Sequence, residues 1–372
     1  MLKRLFAAAS VFILFTGCAG KKADTGYESH VRKKLELSYA KQFTAEYDSD
    51  GCTYVIIGDD SYVIVPEKAD IPQKNDGAVI IRQPVKNVYN AASSAMDLID
   101  SVGALDKVAM TSTKYDDWCL PNIRNAIDGD KLTYIGKYSA PDYEALLEEE
   151  CSLTIESTMI YHSPEVREQL EALGIPVLVE RSSYETDPLG RMEWVKLYGL
   201  IFGCEEQAQK LFDEKTQQIA DILSDEKTDR TVAFFYINSA GGVVIRKPAD
   251  YVPEMIRMAG GEYIFTADDL GTDENALSTM TIQSETFCEK AWDADILIYN
   301  SDITGTVGEL KVLIDKYPFL SDFKAVKNGE VWCTEKNMFQ QTTGAADMIE
   351  ELHSILTRKA DTKMKYIYRL EA

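Results

Sequence analysis

The chain contains 372 residues, of which 61 are acidic and 39 are basic, so its formal net charge is −22. Nucleic-acid binding requires a clustered basic face, and this acidity argues against it. A chain of this length is expected to form two domains. A zinc- or manganese-type site would need several histidines converging with carboxylates, and only His162 is usable, because His30 and His353 fall in the predicted tether and the last predicted helix.

The N-terminus has the features of a secretion signal. Two basic residues precede an apolar run over residues 5–15, which is shorter than the roughly 20 residues of a membrane-spanning helix. Thr16-Gly17-Cys18 follows and resembles a bacterial lipobox. We predict a lipoprotein signal peptide over residues 1–17 and lipidation of Cys18, with acyl chains such as palmitate holding the protein on the extracytoplasmic face of the cell membrane. An ordinary signal peptide with an incidental cysteine is the alternative.

The next part of the chain predicts an α/β lobe over residues 54–184, after a tether and lead-in over residues 18–53. A β-hairpin is predicted around Gly58-Asp59-Asp60-Ser61. Beyond it, short apolar strands alternate with helices, which is typical of a parallel sheet covered on both faces. The predicted strands are within 77–89 and at 107–111, 132–135, 153–155 and 176–180, and the predicted helices are 91–101, 141–150 and 164–173.

Residues 185–228 are predicted to be an inter-lobe helix. The stretch 188–223 has helical spacing and few helix breakers, apart from an interruption at Gly203. Its apolar stripe consists of Trp194, Leu197, Tyr198 and Ile201.

Residues 229–372 predict a second α/β lobe with a final helix and a terminal strand. Its strands are predicted at 231–237, 296–299 and 330–333, and its helices at 252–258, 309–316 and 344–358. The expected fold is therefore α/β, with two Rossmann-like lobes that contain central parallel sheets and are joined by one long backbone helix. The cleft between such lobes is the expected ligand site.

Several motifs occur in an order and spacing that resemble one family. They include Gly103-Ala104-Leu105-Asp106-Lys107-Val108, Ala259-Gly260-Gly261, the segment 281–285 ahead of 295–298, and the segment 325–332. Together they resemble the helix-linked substrate-binding lipoproteins of ABC importers for ferric siderophores, cobalamin and haem. The resemblance extends from about residue 54 to the end.

This resemblance implies a monomeric extracytoplasmic solute-binding protein without a cofactor. It would capture a small-molecule metal chelate of the iron-siderophore type and deliver it to an ABC permease dimer with its ATPase. Cobalamin or haem binding by the same fold is the alternative. A chelatase-like enzyme is less favoured, because the chain contains neither G-x-S-x-G nor H-E-x-x-H. A lipid-anchored adhesion or sensor domain also remains open.

In the family, one glutamate on the outer surface of each lobe docks onto arginines of the transporter. Glu144 and Glu285 occupy the matching positions here. Exposed charges of this kind mainly set register and encounter rate. A glutamate near a helix start is also favoured by the helix dipole, which is the alternative explanation.

In open α/β sheets, ligands bind at the carboxyl ends of the strands. The loops expected there are rich in aromatic rings and contain several cations, which suits a large aromatic or anionic ligand. The predicted ligand-binding residues are Tyr89, Asn90, Trp118, Tyr138, Tyr161, His162, Arg181, Tyr184, Asn238, Arg246, Lys247, Tyr251, Phe339 and Gln340.

His162 has two explanations that the sequence leaves open. Tyr161-His162 follows a predicted strand of the first lobe, and either side chain is a suitable axial ligand for haem iron. His162 also precedes Ser163-Pro164, where it would help to cap the next helix.

Overall fold

The computed structural model of the protein describes residues 31–73, 77–273 and 278–371. The predicted signal peptide and Cys18 lie outside these ranges. Within them, no helix combines the length and the apolar composition that crossing a bilayer requires.

A five-stranded sheet precedes the first lobe, with its strands paired in chain order. All pairs are antiparallel except β4–β5. The predicted hairpin is confirmed as β3–β4. The described part of the segment predicted as tether and lead-in, residues 18–53, contains the first two of these strands. The strands are β1 (Val31–Lys34), β2 (Phe43–Asp48), β3 (Thr53–Ile57), β4 (Asp60–Val65) and β5 (Val79–Arg82).

The first lobe contains the predicted parallel sheet, in the order β12–β11–β6–β7–β8. All four side chains of β12 are buried, as expected for a covered parallel strand. The elements are β6 (Val88–Asn90), α1 (Ser93–Ser101), β7 (Val108–Thr111), α2 (Pro121–Asp128), β8 (Thr133–Tyr134), β9 (Gly136–Lys137), β10 (Ala140–Pro141), α3 (Tyr143–Glu148), β11 (Thr154–Ser157), α4 (Pro164–Ala172) and β12 (Val177–Glu180).

The connection between the lobes is helical, but it consists of four helices instead of the one long helix predicted. Gly203 ends the second of them with a φ of 71°, a left-handed conformation that favours glycine. The helices on either side pack so closely that a methyl group on Gly199 would lie 2.7 Å from Ala208 Cβ. We call this segment the connector; its helices are α5 (Pro188–Glu193), α6 (Val195–Phe202), α7 (Glu205–Gln218) and α8 (Ala220–Ser224).

The second lobe is built on a seven-stranded mixed sheet, in the order β16–β14–β13–β17–β18–β19 with β15 also paired to β13. The elements are β13 (Thr231–Ile237), β14 (Val243–Arg246), α9 (Tyr251–Met258), β15 (Glu262–Tyr263), α10 (Ala267–Leu270), β16 (Thr279–Ile282), α11 (Ser284–Ala291), β17 (Ile296–Tyr299), α12 (Ser301–Thr304), α13 (Leu310–Lys316), α14 (Lys324–Lys327), β18 (Val331–Thr334), α15 (Ala345–Leu356) and β19 (Ile367–Arg369).

The connector is part of the hydrophobic core. One apolar cluster runs from the N-terminal sheet through the connector into the second lobe. The predicted apolar stripe faces this cluster, since all four of its side chains are fully buried. Both lobes are therefore packed against a common centre.

Candidate functional site

A cavity of about 480 Å³ lies where the two lobes and the connector meet. The first lobe contributes residues that follow β12, the connector contributes one residue of α5, and the second lobe contributes the rest. The lining residues are Ser183, Tyr184, Arg191, Arg246, Asp250, Tyr251, Ser278 and Phe339.

Two guanidinium groups and several aromatic rings dominate this cavity. The Cζ atom of Arg191 lies 3.9 Å from the centroid of the Tyr251 ring. Arg246 Cζ lies 5.0 Å from the Phe339 centroid and 5.8 Å from the Tyr251 centroid. Cations over ring faces are held there by the ring quadrupole. The site thus combines positive charge with aromatic surface.

Local sequence explains why these side chains converge. The Asp250 carboxylate accepts the backbone N–H of Val252 at 3.1 Å, which starts α9 and puts Tyr251 at its first position. Asp187 starts α5 in the same way by accepting the N–H of Leu189 at 2.8 Å. Arg191 then lies in the last turn of this short helix. The two caps therefore fix the starts of the helices that carry Arg191 and Tyr251.

The electrostatics of the cavity favour an anion. Arg246 Nη1 lies 3.5 Å from the Asp250 carboxylate, so one of the two cations is partly neutralised. Within the described residues, the Arg191 guanidinium donates no hydrogen bond and forms no ion pair. Its donors are therefore free for a carboxylate or catecholate. Burial raises the pKa of Tyr251 above its ordinary value, so the phenol stays neutral at physiological pH.

Four of the predicted ligand-binding residues line this cavity, namely Tyr184, Arg246, Tyr251 and Phe339. Lys247 is adjacent to Arg246, and its backbone N–H donates to the Ser278 carbonyl at 2.8 Å. The other four lining residues, Ser183, Arg191, Asp250 and Ser278, are not among the predicted ligand-binding residues. The sequence did carry a signal for Arg191, because Asp187-Pro188 is a helix-start pattern and Arg191 follows one turn later.

Three predicted ligand-binding residues do not line the cavity, because their side chains are buried in the first lobe. Tyr89 belongs to β6 and points into the apolar core. Asn90 uses its amide locally, donating to the Ala92 carbonyl at 3.1 Å and accepting the Ala92 N–H at 3.3 Å. The Trp118 indole is fully buried and donates to the Thr113 carbonyl at 3.2 Å.

Gln340 and Arg181 make protein contacts instead of lining the cavity. The Gln340 amide accepts the Cys119 N–H at 2.7 Å and donates to the Asp117 carbonyl at 2.7 Å, so it joins the two lobes. Arg181 lies over the Tyr184 ring, with its Cζ 4.6 Å from the centroid. Ligand contact by either residue stays a prediction.

The remaining predicted residues lie elsewhere on the loops. Tyr161 and His162 are exposed in the 3-10 turn after β11, and Tyr138 is half-buried between β9 and β10. Asn238 lines a second cavity of about 490 Å³ in the second lobe, together with Tyr236, Ile303, Lys316 and Tyr317 among others. None of these four predicted residues lines the cavity between the lobes.

A groove of about 600 Å³ also lies between the N-terminal sheet and the connector. It is lined by charges of both signs, including Lys33, Lys210, Glu205 and Glu214. Within the described ranges, no three histidine, cysteine, aspartate or glutamate side chains are grouped so that they could hold a metal ion.

The two predicted docking glutamates occupy equivalent places in the two lobes. Glu144 lies in the first turn of α3 and Glu285 in the first turn of α11, and both side chains are exposed. Neither carboxylate forms an ion pair with another described residue. Docking by these residues stays a prediction.

Comparisons with known proteins agree with this architecture. A family model described as a periplasmic binding protein matches residues 90–338. An uncharacterized lipoprotein of Methanocaldococcus jannaschii is 26% identical over 300 residues, which cover 77% of this chain and 68% of the relative. A second uncharacterized lipoprotein of the same organism is 24% identical, with 97% of each chain covered.

Solved structures share the fold. A periplasmic binding protein from Veillonella parvula has a TM-score of 0.62 and 16% identity, covering 86% of this chain and 99% of its own. A periplasmic haem-binding protein from Pseudomonas aeruginosa has a TM-score of 0.59 and 15% identity, covering 77% and 98%. A periplasmic vitamin B12-binding protein from Vibrio cholerae has a TM-score of 0.52 and 16% identity, covering 74% and 98%. The chain belongs to the periplasmic binding protein family, whose members bind solutes and are not enzymes.

Proposed function

We propose that this protein is the extracytoplasmic solute-binding component of an ABC importer and that it captures an iron-siderophore-type chelate. The observation that carries the proposal is the pair of guanidinium groups, Arg191 and Arg246, beside aromatic rings in one cavity between the lobes. Catecholate chelates of ferric iron are anionic and expose aromatic rings. Arginine forks bind their oxygens, and the rings of the cavity supply stacking area.

Haem is the second candidate ligand. Tyr184 and Tyr251 line the cavity, and a tyrosine side chain is a known type of haem-iron ligand. Haem propionates would also pair with the two guanidinium groups. A haem complex would show a Soret band that changes in Tyr184→Phe or Tyr251→Phe, whereas a catecholate complex would not depend on either hydroxyl in this way.

Calorimetric titration of the purified full-length protein tests the proposal. The probes are a ferric tris-catecholate, a ferric tris-hydroxamate, haemin and cobalamin. We expect the catecholate to bind with a Kd on the order of 1 μM or below, which corresponds to about −8 kcal/mol. The hydroxamate, which lacks both rings and net charge, should bind at least roughly 100-fold more weakly. Tighter binding of haemin or cobalamin would overturn the ligand class, and no binding of any probe would overturn the site.

Membrane attachment through Cys18 is part of the same proposal. The support is the sequence Thr16-Gly17-Cys18 and the description of two relatives as lipoproteins. The partners would be an ABC permease dimer with its ATPase, and the binding protein would act as a monomer. Cys18→Ser should move the protein from the membrane fraction to the soluble fraction, and unchanged fractionation would contradict lipid anchoring.

A further inference from the structure

Five consecutive backbone N–H groups of the N-terminal sheet bind two buried carboxylates. The loop between β1 and β2 supplies the donors, from Ser38 to Gln42. The N–H groups of residues 38–40 donate to Glu193, and those of Lys41 and Gln42 donate to Glu185, all at 2.8–3.0 Å. Such a continuous series of donors on two acceptors ties this loop to a single position.

The two carboxylates flank the side chains that line the cavity. Glu185 directly follows Tyr184, and Glu193 lies two residues after Arg191 at the end of α5. Each has one further partner: Glu185 accepts the Trp194 indole N–H at 2.9 Å, and Glu193 pairs with the Lys196 ammonium at 2.8 Å. Both ends of the segment that contains Tyr184 and Arg191 are therefore bound to the loop.

These bonds are strong in physical terms. Glu185 is 3% exposed and Glu193 is fully buried, so water cannot take the place of the backbone N–H groups that bind these carboxylates. A hydrogen bond to a charged acceptor contributes roughly twice as much as a neutral one. Removing an acceptor would also leave buried N–H groups without partners, which is costly. The segment 184–193 is thus held by the loop 38–42, which does not itself line the cavity.

A second contact between the N-terminal sheet and the cavity supports this role. The side chain of Arg181 packs on the β3–β4 turn, where a methyl group on Gly58 would lie 3.2 Å from Arg181 Nη1. The same guanidinium covers the Tyr184 ring. The turn therefore limits where Arg181, and through it Tyr184, can lie.

We propose that the N-terminal sheet is a positioning part of the ligand site, with Glu185 and Glu193 as the positioning residues. The sheet precedes the segment 90–338 that matches the family model, so the proposed positioning contacts come from outside that segment. Through the loop 38–42 it fixes Tyr184 and Arg191 in the orientation that meets the ligand. The inference rests on the proposed function, because the ligand must contact these two side chains.

A double-mutant cycle on the full chain tests it, with the ferric tris-catecholate as probe. Glu185→Ala should weaken binding roughly tenfold, and Tyr184→Ala should weaken it by a similar factor. The double variant should be less than about threefold weaker than Tyr184→Ala alone, because Glu185 acts through Tyr184. Glu185→Gln, which keeps an acceptor oxygen, should recover part of the affinity. If Glu185→Ala weakens probe binding by the same factor in the native protein and in Tyr184→Ala, the inference is overturned.

Asp48→Ala is the matched control. Asp48 also accepts backbone N–H groups within the N-terminal sheet, from Asp50 and Cys52 at 2.9 Å, but it does not touch the segment 184–193. The Asp48→Ala substitution should lower the unfolding midpoint without weakening probe binding. If Asp48→Ala loses as much affinity as Glu185→Ala, the weaker binding reflects a general loss of stability, and the inference is overturned.

Hydrogen exchange separates this inference from the proposed function. In the absence of any ligand, Glu185→Gln should increase amide exchange in residues 184–193 at least roughly fivefold, while Asp48→Ala should leave that segment unchanged. If no probe binds but the exchange behaves as expected, only the proposed ligand class fails. If the probe binds and the exchange of this segment is unchanged, the positioning role fails.

Discussion

The guanidinium of Arg191 is stacked on the ring of Tyr251, with 3.9 Å between Cζ and the ring centroid. Arg191 belongs to the connector and Tyr251 begins a helix of the second lobe, so the stack joins two parts of the molecule at the cavity wall. Stacking fixes the plane of the guanidinium while its N–H groups remain free at the edge. A cation prepared in this way can bind an anionic oxygen with little further ordering.

Replacing Arg191 tests this preparation. Arg191→Ala should weaken binding of the ferric tris-catecholate roughly 10- to 100-fold, because a hydrogen bond with a charged group contributes about 1.5–3 kcal/mol. Arg191→Lys should recover only part of the affinity, since an ammonium cannot both stack and fork. Calorimetric titration measures the effect. Lys359→Ala serves as the control, because it removes an exposed cation that does not line the cavity. An equal loss of affinity in Lys359→Ala would point to general charge attraction.

The regular elements followed from the sequence where apolar pattern and local propensity agree. β13 and β17 have the predicted bounds, because each is an apolar run closed by polar or small residues. The break at Gly203 was visible, but its consequence was not: the close packing of Gly199 on Ala208 depends on residues that meet only after the chain turns. Residues 38–42 gave no local signal either, since their partners Glu185 and Glu193 lie more than 140 positions away.

The site could be predicted in part for a related reason. Strand ends indicate which loops surround a cleft, and Tyr184 and Tyr251 were found in this way. Strand position does not indicate which way a side chain points when both faces are covered. In β6 all three residues are buried, so Tyr89 and Asn90 look like loop residues in sequence and are core residues in the fold.

Gln340 should act on stability and lobe orientation without touching the ligand. Gln340→Ala removes both bonds to the Asp117–Cys119 turn, and at about 0.5–1.5 kcal/mol each the free energy of unfolding should fall by about 1–3 kcal/mol. Urea unfolding monitored by circular dichroism measures this. The control is Gln341→Ala, because Gln341 bonds to Asn337 within its own loop. If Gln341→Ala lowers the free energy of unfolding as much as Gln340→Ala does, the hydrogen bonds between the lobes contribute no more to stability than a bond within one loop.

Glu156 should make stability depend on pH. Its carboxylate is fully buried in the first lobe, and neither oxygen has a hydrogen-bond partner among the described residues. Burial raises the pKa of Glu156 to about 8. Between the ordinary value near 4.5 and about 8, the folded protein keeps a proton that the unfolded chain releases. The contribution of this group to stability therefore falls as pH rises through that window, by at most about 1.4 kcal/mol per pH unit.

Glu156→Gln should remove the contribution of Glu156 to the pH dependence of stability, because the amide does not titrate. Urea unfolding at pH 5, 6.5 and 8 should show that the variant gains stability relative to the native protein as pH increases. Glu148→Gln, which changes an exposed glutamate on α3, should leave the native pH dependence in place. Parallel stability curves for the native protein and Glu156→Gln would show that Glu156 is ionised in the fold.

Transport provides the last prediction, which concerns Glu144 and Glu285. If these exposed carboxylates dock onto basic groups of a two-fold permease, reversing both charges by Glu144→Arg with Glu285→Arg should abolish uptake. The affinity of the purified variant for its ligand should not change, since both residues lie on helices outside the cavity.

The matched control is Glu148→Arg with Glu289→Arg, which makes the same charge change at exposed positions of the same two helices. Uptake of radiolabelled ferric iron chelate into cells that carry each variant measures the outcome. Loss of uptake in both double variants would indicate a general charge requirement, and normal uptake by the first would remove these two residues from the docking surface.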